Sequence, residues 1–162
     1  MARELRRRAR AAWSSRTRFI PTRCGTNETD FIIGAPLPEA GRAEQLPARR
    51  LDEPLSFEIC CILFFLYDVA LGDVVQTDVG YEFARVVEPS GRFVFRAWFG
   101  ESFHPRQEIA DRLGEIGALL EWSSNNLLPV DAADAREARV IADYLSDQKG
   151  RGHLKYETGR SA

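Results

Sequence analysis

Residues that carry most enzyme chemistry are scarce in this sequence. Its 162 residues include two histidines, His104 and His153, and three cysteines, Cys24, Cys60 and Cys61. The histidines are far apart, and neither has a second histidine or a cysteine at metal-ligand spacing, which argues against a metal site. There is no G-x-S-x-G elbow, no phosphate-cradling loop and no G-x-G-x-x-G stretch, so an activated serine, a P-loop and a dinucleotide site all lack their signatures. An odd number of cysteines, two of them adjacent, is no disulfide framework. Strand neighbours point to opposite faces, so Cys60 and Cys61 are not set up to pair or to share an ion. They read as small apolar residues in a reducing cytoplasm. No apolar stretch approaches the roughly 20 residues a bilayer span needs, the run at residues 59–66 being far shorter. The N-terminus has no apolar segment after its arginines and so is not a secretory signal. None of this calls for a cofactor.

A strong charge of one sign is missing overall but not locally. The net charge is −2, yet residues 1–23 carry eight of the 22 basic residues and one of the 24 acidic ones, which leaves 14 bases against 23 acids in the remainder. An acidic body is a poor polyanion binder, because neutralising phosphates takes clustered positive charge. The basic leader has two readings: a solvated tail, or a segment that touches nucleic acid or a membrane surface. Its composition also suits an organelle transit peptide or a stretch upstream of the true start. Prolines and turn formers dominate from Pro21 to Pro54. Residues 1–54 as a whole therefore read as poorly ordered, with only Phe31, Ile32 and Ile33 apolar enough to pack. Asn27 opens a glycosylation sequon, a match that chance produces often.

Strand-like sequence begins at Leu55. Phe57 to Cys60 alternate, and Leu63, Phe64, Phe65 and Leu66 are too apolar for a surface, so they read as a bend that plugs the core. Gly72 and Asp73 supply a turn before a second strand at 74–77, and a third strand covers 81–88 up to the turn Pro89-Ser90-Gly91. Residues 92–99 form the clearest strand, with Phe93, Phe95, Ala97 and Phe99 on one face and Arg92, Val94, Arg96 and Trp98 on the other. The period then lengthens. After Pro105, Ile109, Leu113 and Ile116 make one helical stripe that Gly117 ends. Short strands at 118–122 and 127–130 flank a polar turn. A second helix, capped by Asp131 or Asp134, buries Ala138, Ile141, Ala142 and Leu145, and a strand at 154–157 closes the chain. The expected fold is α+β. A disordered N-terminal tail precedes one domain at 55–159, made of a small antiparallel β unit at 55–88 and a ferredoxin-like βαββαβ unit at 92–157. Pro129 is at odds with a central strand, since proline removes a ladder donor; it predicts a strand that stops short or a bulge.

Residues 64–75 read FFLYDVALGDVV, followed by RVVEPSG at 85–91, Arg96, and LKYETG at 154–159. From Phe57 to Gly159 this resembles a bacterial family of unknown function, domain-of-unknown-function family 4265. In that family a proline precedes the paired phenylalanines where Leu63 stands here, and a short polar run stands in place of Arg92-Phe93-Val94-Phe95. Residues 1–54 fall outside the resemblance. The strand usual upstream of Phe57 is not evident, and its loss would leave an open sheet edge. The resemblance supports the fold and implies no activity.

Functional interest rests on Tyr67, Asp68, Asp73 and Arg96. Asp68 and Asp73 would do acid–base work if a cleft joined them; the structural alternative is a Gly-Asp turn whose carboxylate takes local backbone N–H groups. Arg96, a long cation in mid-strand, either holds a carboxylate or phosphate bidentately or pairs with Asp68, Asp73 or Glu82 on a neighbouring strand. The aromatic strand at 92–99 superficially looks like the base-stacking strand of RNA-recognition motifs, whose build is also ferredoxin-like. Three functions are consistent with these residues. The first is a non-enzymatic cytoplasmic protein of regulatory or immunity type that binds a basic protein partner by charge complementarity. The second is RNA binding through the sheet or the leader. The third is an enzyme using Asp68, Asp73 and Arg96. No catalytic residue or metal ligand is assigned.

Overall fold

The computed structural model describes residues 18–21, 29–39, 41–100 and 105–160, the first of these by backbone alone. Expectations for the leader at 1–17 and 22–28, for Cys24, for the Asn27 sequon and for His104 lie outside the described residues. The chain divides into two compact units, Met1–Ser90 and Gly91–Ala162. The architecture is α+β: two largely antiparallel sheets and, among the described residues, two helices.

The first unit holds β1 (Arg18–Pro21), β2 (Phe31–Pro36), β3 (Arg42–Arg50), β4 (Ser56–Ile59), β5 (Val74–Thr77) and β6 (Phe83–Glu88). Strands β2 to β6 form an antiparallel meander, and β1 runs parallel to the start of β3. Gly34 of β2 bridges Glu82, just before β6, and its N–H donates to Tyr81 O at 3.0 Å, so the meander closes into a small barrel. Its interior follows the two-residue period of strands. Phe31, Ile33 and Ala35 of β2, Leu46 and Ala48 of β3, Phe57 and Ile59 of β4 and Val75 of β5 all point into one apolar cluster. Leu63 and Val69, from the connection between β4 and β5, fill it; of the bend expected at 63–66, Leu63 enters the cluster, Leu66 packs against it, and Phe64 and Phe65 are not part of it.

Order therefore does not begin at Leu55. Residues 29–54 are not a tail: β2 and β3 lie within them and bury their apolar faces. The strand sought upstream of Phe57 is β3, and it pairs with β4, so that edge is not open. Its sequence, RAEQLPARR, hid it. The inward alternation is carried by small Ala48 and by a charged residue, Glu44, with only Leu46 a strong apolar marker. Pro47 also reads as a breaker. It is tolerated because its carbonyl accepts from Cys60 N at 3.0 Å. On that side β1 reaches only to Gln45 and β4 begins pairing at Ala48, so the missing N–H faces a gap between two partners.

The second unit holds β7 (Phe93–Trp98), α1 (Arg106–Ile116), β8 (Leu119–Leu120), β9 (Leu127–Ala132), α2 (Ala135–Gly150) and β10 (Lys155–Thr158). The sheet order is β10-β7-β9-β8, with every neighbouring pair antiparallel. Phe95, Ala97 and Phe99 pack with Leu128 and Val130 of β9 against Ile109 and Leu113 of α1 and Ile141 and Leu145 of α2. Gly117, at φ +117°, ends α1 in the left-handed conformation that suits glycine. Asp134 caps α2, its Oδ1 accepting from Arg136 N and Glu137 N at 2.8 Å. Asp131 is instead buried in a pair with Arg92.

Pro129 neither shortens β9 nor bulges it; β9 pairs with β7 from Leu127 to Ala132 without a shift. Glu121 N donates to Pro129 O at 3.3 Å. In an antiparallel strand a residue's N and O face the same neighbour, so the absent N–H faces the β8 side. The central β7–β9 ladder loses nothing. The defect falls where β8 ends, two residues long.

Candidate functional site

The connection between β4 and β5, residues 60–73, is held by two carboxylates. Glu44 of β3 is fully buried. Its Oε1 accepts from Phe64 N at 2.6 Å, and its Oε2 accepts from Phe65 N at 3.0 Å and Leu66 N at 2.8 Å. Three successive N–H groups converging on one point form a concavity suited to an anion, and here the chain supplies the anion itself. A carboxylate is tolerated in an apolar interior only with such bonds.

Asp73 fixes the other end. It is 4% exposed; its Oδ2 accepts from Ala70 N at 2.8 Å and its Oδ1 from Ser90 N at 2.7 Å. Gly72 stands at φ +80°, and a Cβ there would lie 3.3 Å from Ser90 Cβ, so the turn is closed tightly around this carboxylate. Both oxygens of Asp73 are engaged by backbone donors, the arrangement of a turn-holding Gly-Asp.

Tyr67 and Asp68 sit between the clamps and are exposed. Asp68 has φ +60°, a left-handed backbone that few residues other than glycine adopt and that aspartate adopts more readily than most. The two aspartates thus part company: Asp73 holds the base of the loop and Asp68 forms its tip.

Arg96 lies in the second unit, on β7. It is 4% exposed, and its Nη1 donates to Glu157 Oε1 at 3.3 Å. Glu157 is its register partner on β10. Glu157 is thus a carboxylate on a neighbouring strand that pairs with Arg96, and it is one the sequence reading did not name. A partner 61 residues away, on a strand whose pairing is set by tertiary order, leaves no local trace in sequence. Just before β7, Arg92 chelates buried Asp131 through Nε, at 2.9 Å to Oδ2, and through Nη2. The hydrogen bond with Asp131 raises the Arg92 pKa further above its ordinary value, against the opposing effect of burial.

The aromatic face of β7 is covered by α1 and α2, with Phe95 and Phe99 buried, so it offers no open platform for bases. Among the described residues no group of three His, Cys, Asp or Glu lies close enough to hold a metal ion. His153 Nδ1 is 2.8 Å from Gln148 Oε1. Cys60 and Cys61 are both buried thiols. No described helix is long and apolar enough to cross a membrane. Glu44 is the residue sequence reasoning missed; its signal was an acid on the face that Leu46 and Ala48 mark as inward.

A family model described as "Domain of unknown function (DUF4265)" matches residues 44–156. The match begins inside β3, upstream of the Phe57 start that the motifs alone suggested. No curated protein matches the chain. A solved structure, a hypothetical protein from Neisseria gonorrhoeae, is similar in fold: TM-score 0.69 at 15% identity, covering 84% of this chain and 97% of that one.

Proposed function

The chain belongs to the DUF4265 domain family, and from that premise we propose that it is a non-enzymatic protein that binds a basic protein partner, in a regulatory or immunity-type role, through the tip of the 64–73 loop. The observation that carries this reading is the double clamp. Glu44 and Asp73 together take five backbone N–H groups from Phe64, Phe65, Leu66, Ala70 and Ser90. A loop ordered this way loses little freedom on binding, which favours recognition. Its tip presents Tyr67, an aromatic with a polar end, beside the acidic Asp68. Across residues 29–90 acidic residues outnumber arginines, which supports a basic partner drawn by charge. The enzyme reading is weakened because Asp73 is committed to holding the loop and Arg96 has Glu157. A ferredoxin-like second unit belongs to this proposal, supported by its strands lying in the order fourth, first, third, second. So does a bacterial cytoplasmic setting.

Affinity purification of the full chain from its native host, at low and moderate salt, tests this. The expected result is a stoichiometric protein partner that salt weakens and that the Tyr67→Ala/Asp68→Ser double variant loses while its circular dichroism is unchanged. RNA that leaves with nuclease, or a partner held equally by the double variant, would overturn it.

A further inference from the structure

We infer that the end of the barrel opposite the clamped loop receives a single carboxylate, with Arg50 as the chelating group and a peptide C-terminus as the source. Strand β4 separates the two ends: residues 51–55 enter it and residues 60–73 leave it.

Arg50 is the last residue of β3. Its guanidinium carbon lies 4.8 Å from the ring centre of Phe31, 5.7 Å from that of Phe57 and 5.8 Å from that of Tyr81. The three rings pack on one another, with centroids 4.9, 4.8 and 6.2 Å apart, and floor the barrel end. Phe57 and Phe31 are buried while Arg50 itself is exposed. Its backbone is fixed as well, Arg50 N donating to Asp30 Oδ1 at 2.9 Å. The other arginines of residues 29–90 use their guanidinium groups on side-chain oxygens: Arg42 on Glu39, Arg49 on Glu58, Arg85 on Gln76. Among the described residues Arg50 lies on rings instead, and its side chain is exposed.

A second, independent observation is the backbone at the same end. Tyr81 stands at φ +64° and Leu55 at φ +59°, a left-handed conformation that bulky residues rarely adopt. Both are held by the surrounding strands: Tyr81 O accepts from Gly34 N at 3.0 Å, and Leu55 O from Thr77 N at 2.9 Å. Backbone of this kind concentrates at ligand sites, where surrounding structure over-determines it. Here it sets the Tyr81 ring against Phe31 under the guanidinium.

A stacked guanidinium has one face covered and its edge donors in a fixed fork, which matches a planar carboxylate through two parallel N–H···O bonds. A polyphosphate is a poor fit, since Asp30, Asp52 and Glu53 flank the site in sequence and no second cation of residues 29–90 is left over. An apolar side chain is exposed at the same end. Val79, 87% exposed on the β5–β6 turn at this end, is presented by Asp78, whose Oδ1 accepts from Gly80 N and Glu82 N at 2.9 Å. A carboxylate beside an apolar side chain, as at a peptide C-terminus, fits both features.

NMR titration of the full chain with N-acetyl-leucine tests this. Saturable shifts are expected at Arg50 Nε–H and at the Phe31 and Tyr81 rings, with none from N-acetyl-leucinamide, which lacks the charge. Arg50→Lys keeps the charge but not the fork and should weaken binding about tenfold. Arg50→Met keeps the rings covered and should abolish it. The Tyr67→Ala/Asp68→Ser variant should bind N-acetyl-leucine unchanged, which separates this site from the loop. Equal shifts from the amide, equal affinity in Arg50→Lys, a preference for inorganic phosphate, or no saturable shift in the unaltered chain would each overturn the assignment.

Discussion

Glu44 shows what a single buried charge does for a loop. Its carboxylate accepts from Phe64, Phe65 and Leu66 N–H groups with no exposure to water. A glutamine in its place keeps one oxygen and turns an amide NH2 toward donors, leaving at least one N–H unsatisfied. Glu44→Gln should therefore cost about 2–3 kcal/mol, read as a lower urea midpoint at unchanged slope; a loss under about 0.5 kcal/mol would show that the nest does not hold the loop. The two aspartates should separate in the same assay. Asp73→Asn weakens the acceptor for Ala70 and Ser90 and should cost about 1–2 kcal/mol. Asp68→Gly, at a backbone angle that glycine adopts freely, should stay within about 0.5 kcal/mol of the parent. Tyr144 gives a pH dependence of known sign. Burial raises its pKa above the ordinary 10.0, so the folded chain favours the neutral phenol. Above that value the unfolded state releases its proton first and stability falls; the contribution is present below pH 10.0 and lost as pH rises through the folded pKa. Tyr144→Phe should flatten this part of the decline in melting temperature above about pH 10.

Strands that tolerate proline do so because of what lies beside them. Pro129 turns its missing N–H toward the short β8, and Pro47 turns its own toward the gap between β1 and β4. Pro129→Val should therefore add a backbone donor facing Glu121 and lengthen the β8–β9 ladder, seen as a slowly exchanging amide at residue 129 with no loss of stability. An amide there that exchanges as fast as a loop amide would contradict the orientation. The same locality decides what was readable from sequence. The helices were legible because Ile109 and Leu113, and Ala138, Ile141 and Leu145, repeat a period on one chain segment. Strand β7 was legible because its aromatics alternate. The second strand of the barrel wall, β3, was not, because its inward face is written with Glu44, Leu46 and Ala48, and an acid counts as outward until its donors on a distant loop are known. Within the candidate site the Gly72-Asp73 turn could be read locally. The Glu157 partner of Arg96 and the ring stack under Arg50 depend on strand register and barrel closure, which no short window contains.

At the scale of the whole molecule, the correction to the N-terminal half has a mechanical consequence. The two apolar clusters share no residue, and the one in the first unit draws Phe31, Ile33 and Ala35 from β2 and Leu46 and Ala48 from β3. Barrel closure also runs through β2, at Gly34. A chain trimmed to residues 55–162 would keep every motif by which the family is recognised by eye. It would lose two of the five strands of the closed meander, leave the β4 edge unpaired, and strip the Phe64, Phe65 and Leu66 N–H groups of their acceptor. Each buried donor so orphaned costs about 1–3 kcal/mol, against a total stability of about 5–15 kcal/mol for a domain. The 55–162 fragment should therefore fail to form the barrel, with the methyl and ring signals of Phe57, Ile59 and Val75 collapsing to unfolded positions and an aggregation tendency that concentration makes worse. A fragment of residues 29–162 should keep those signals dispersed and melt cooperatively. If 55–162 instead melts as 29–162 does, β2 and β3 are dispensable, and Glu44 is not what holds the loop between β4 and β5.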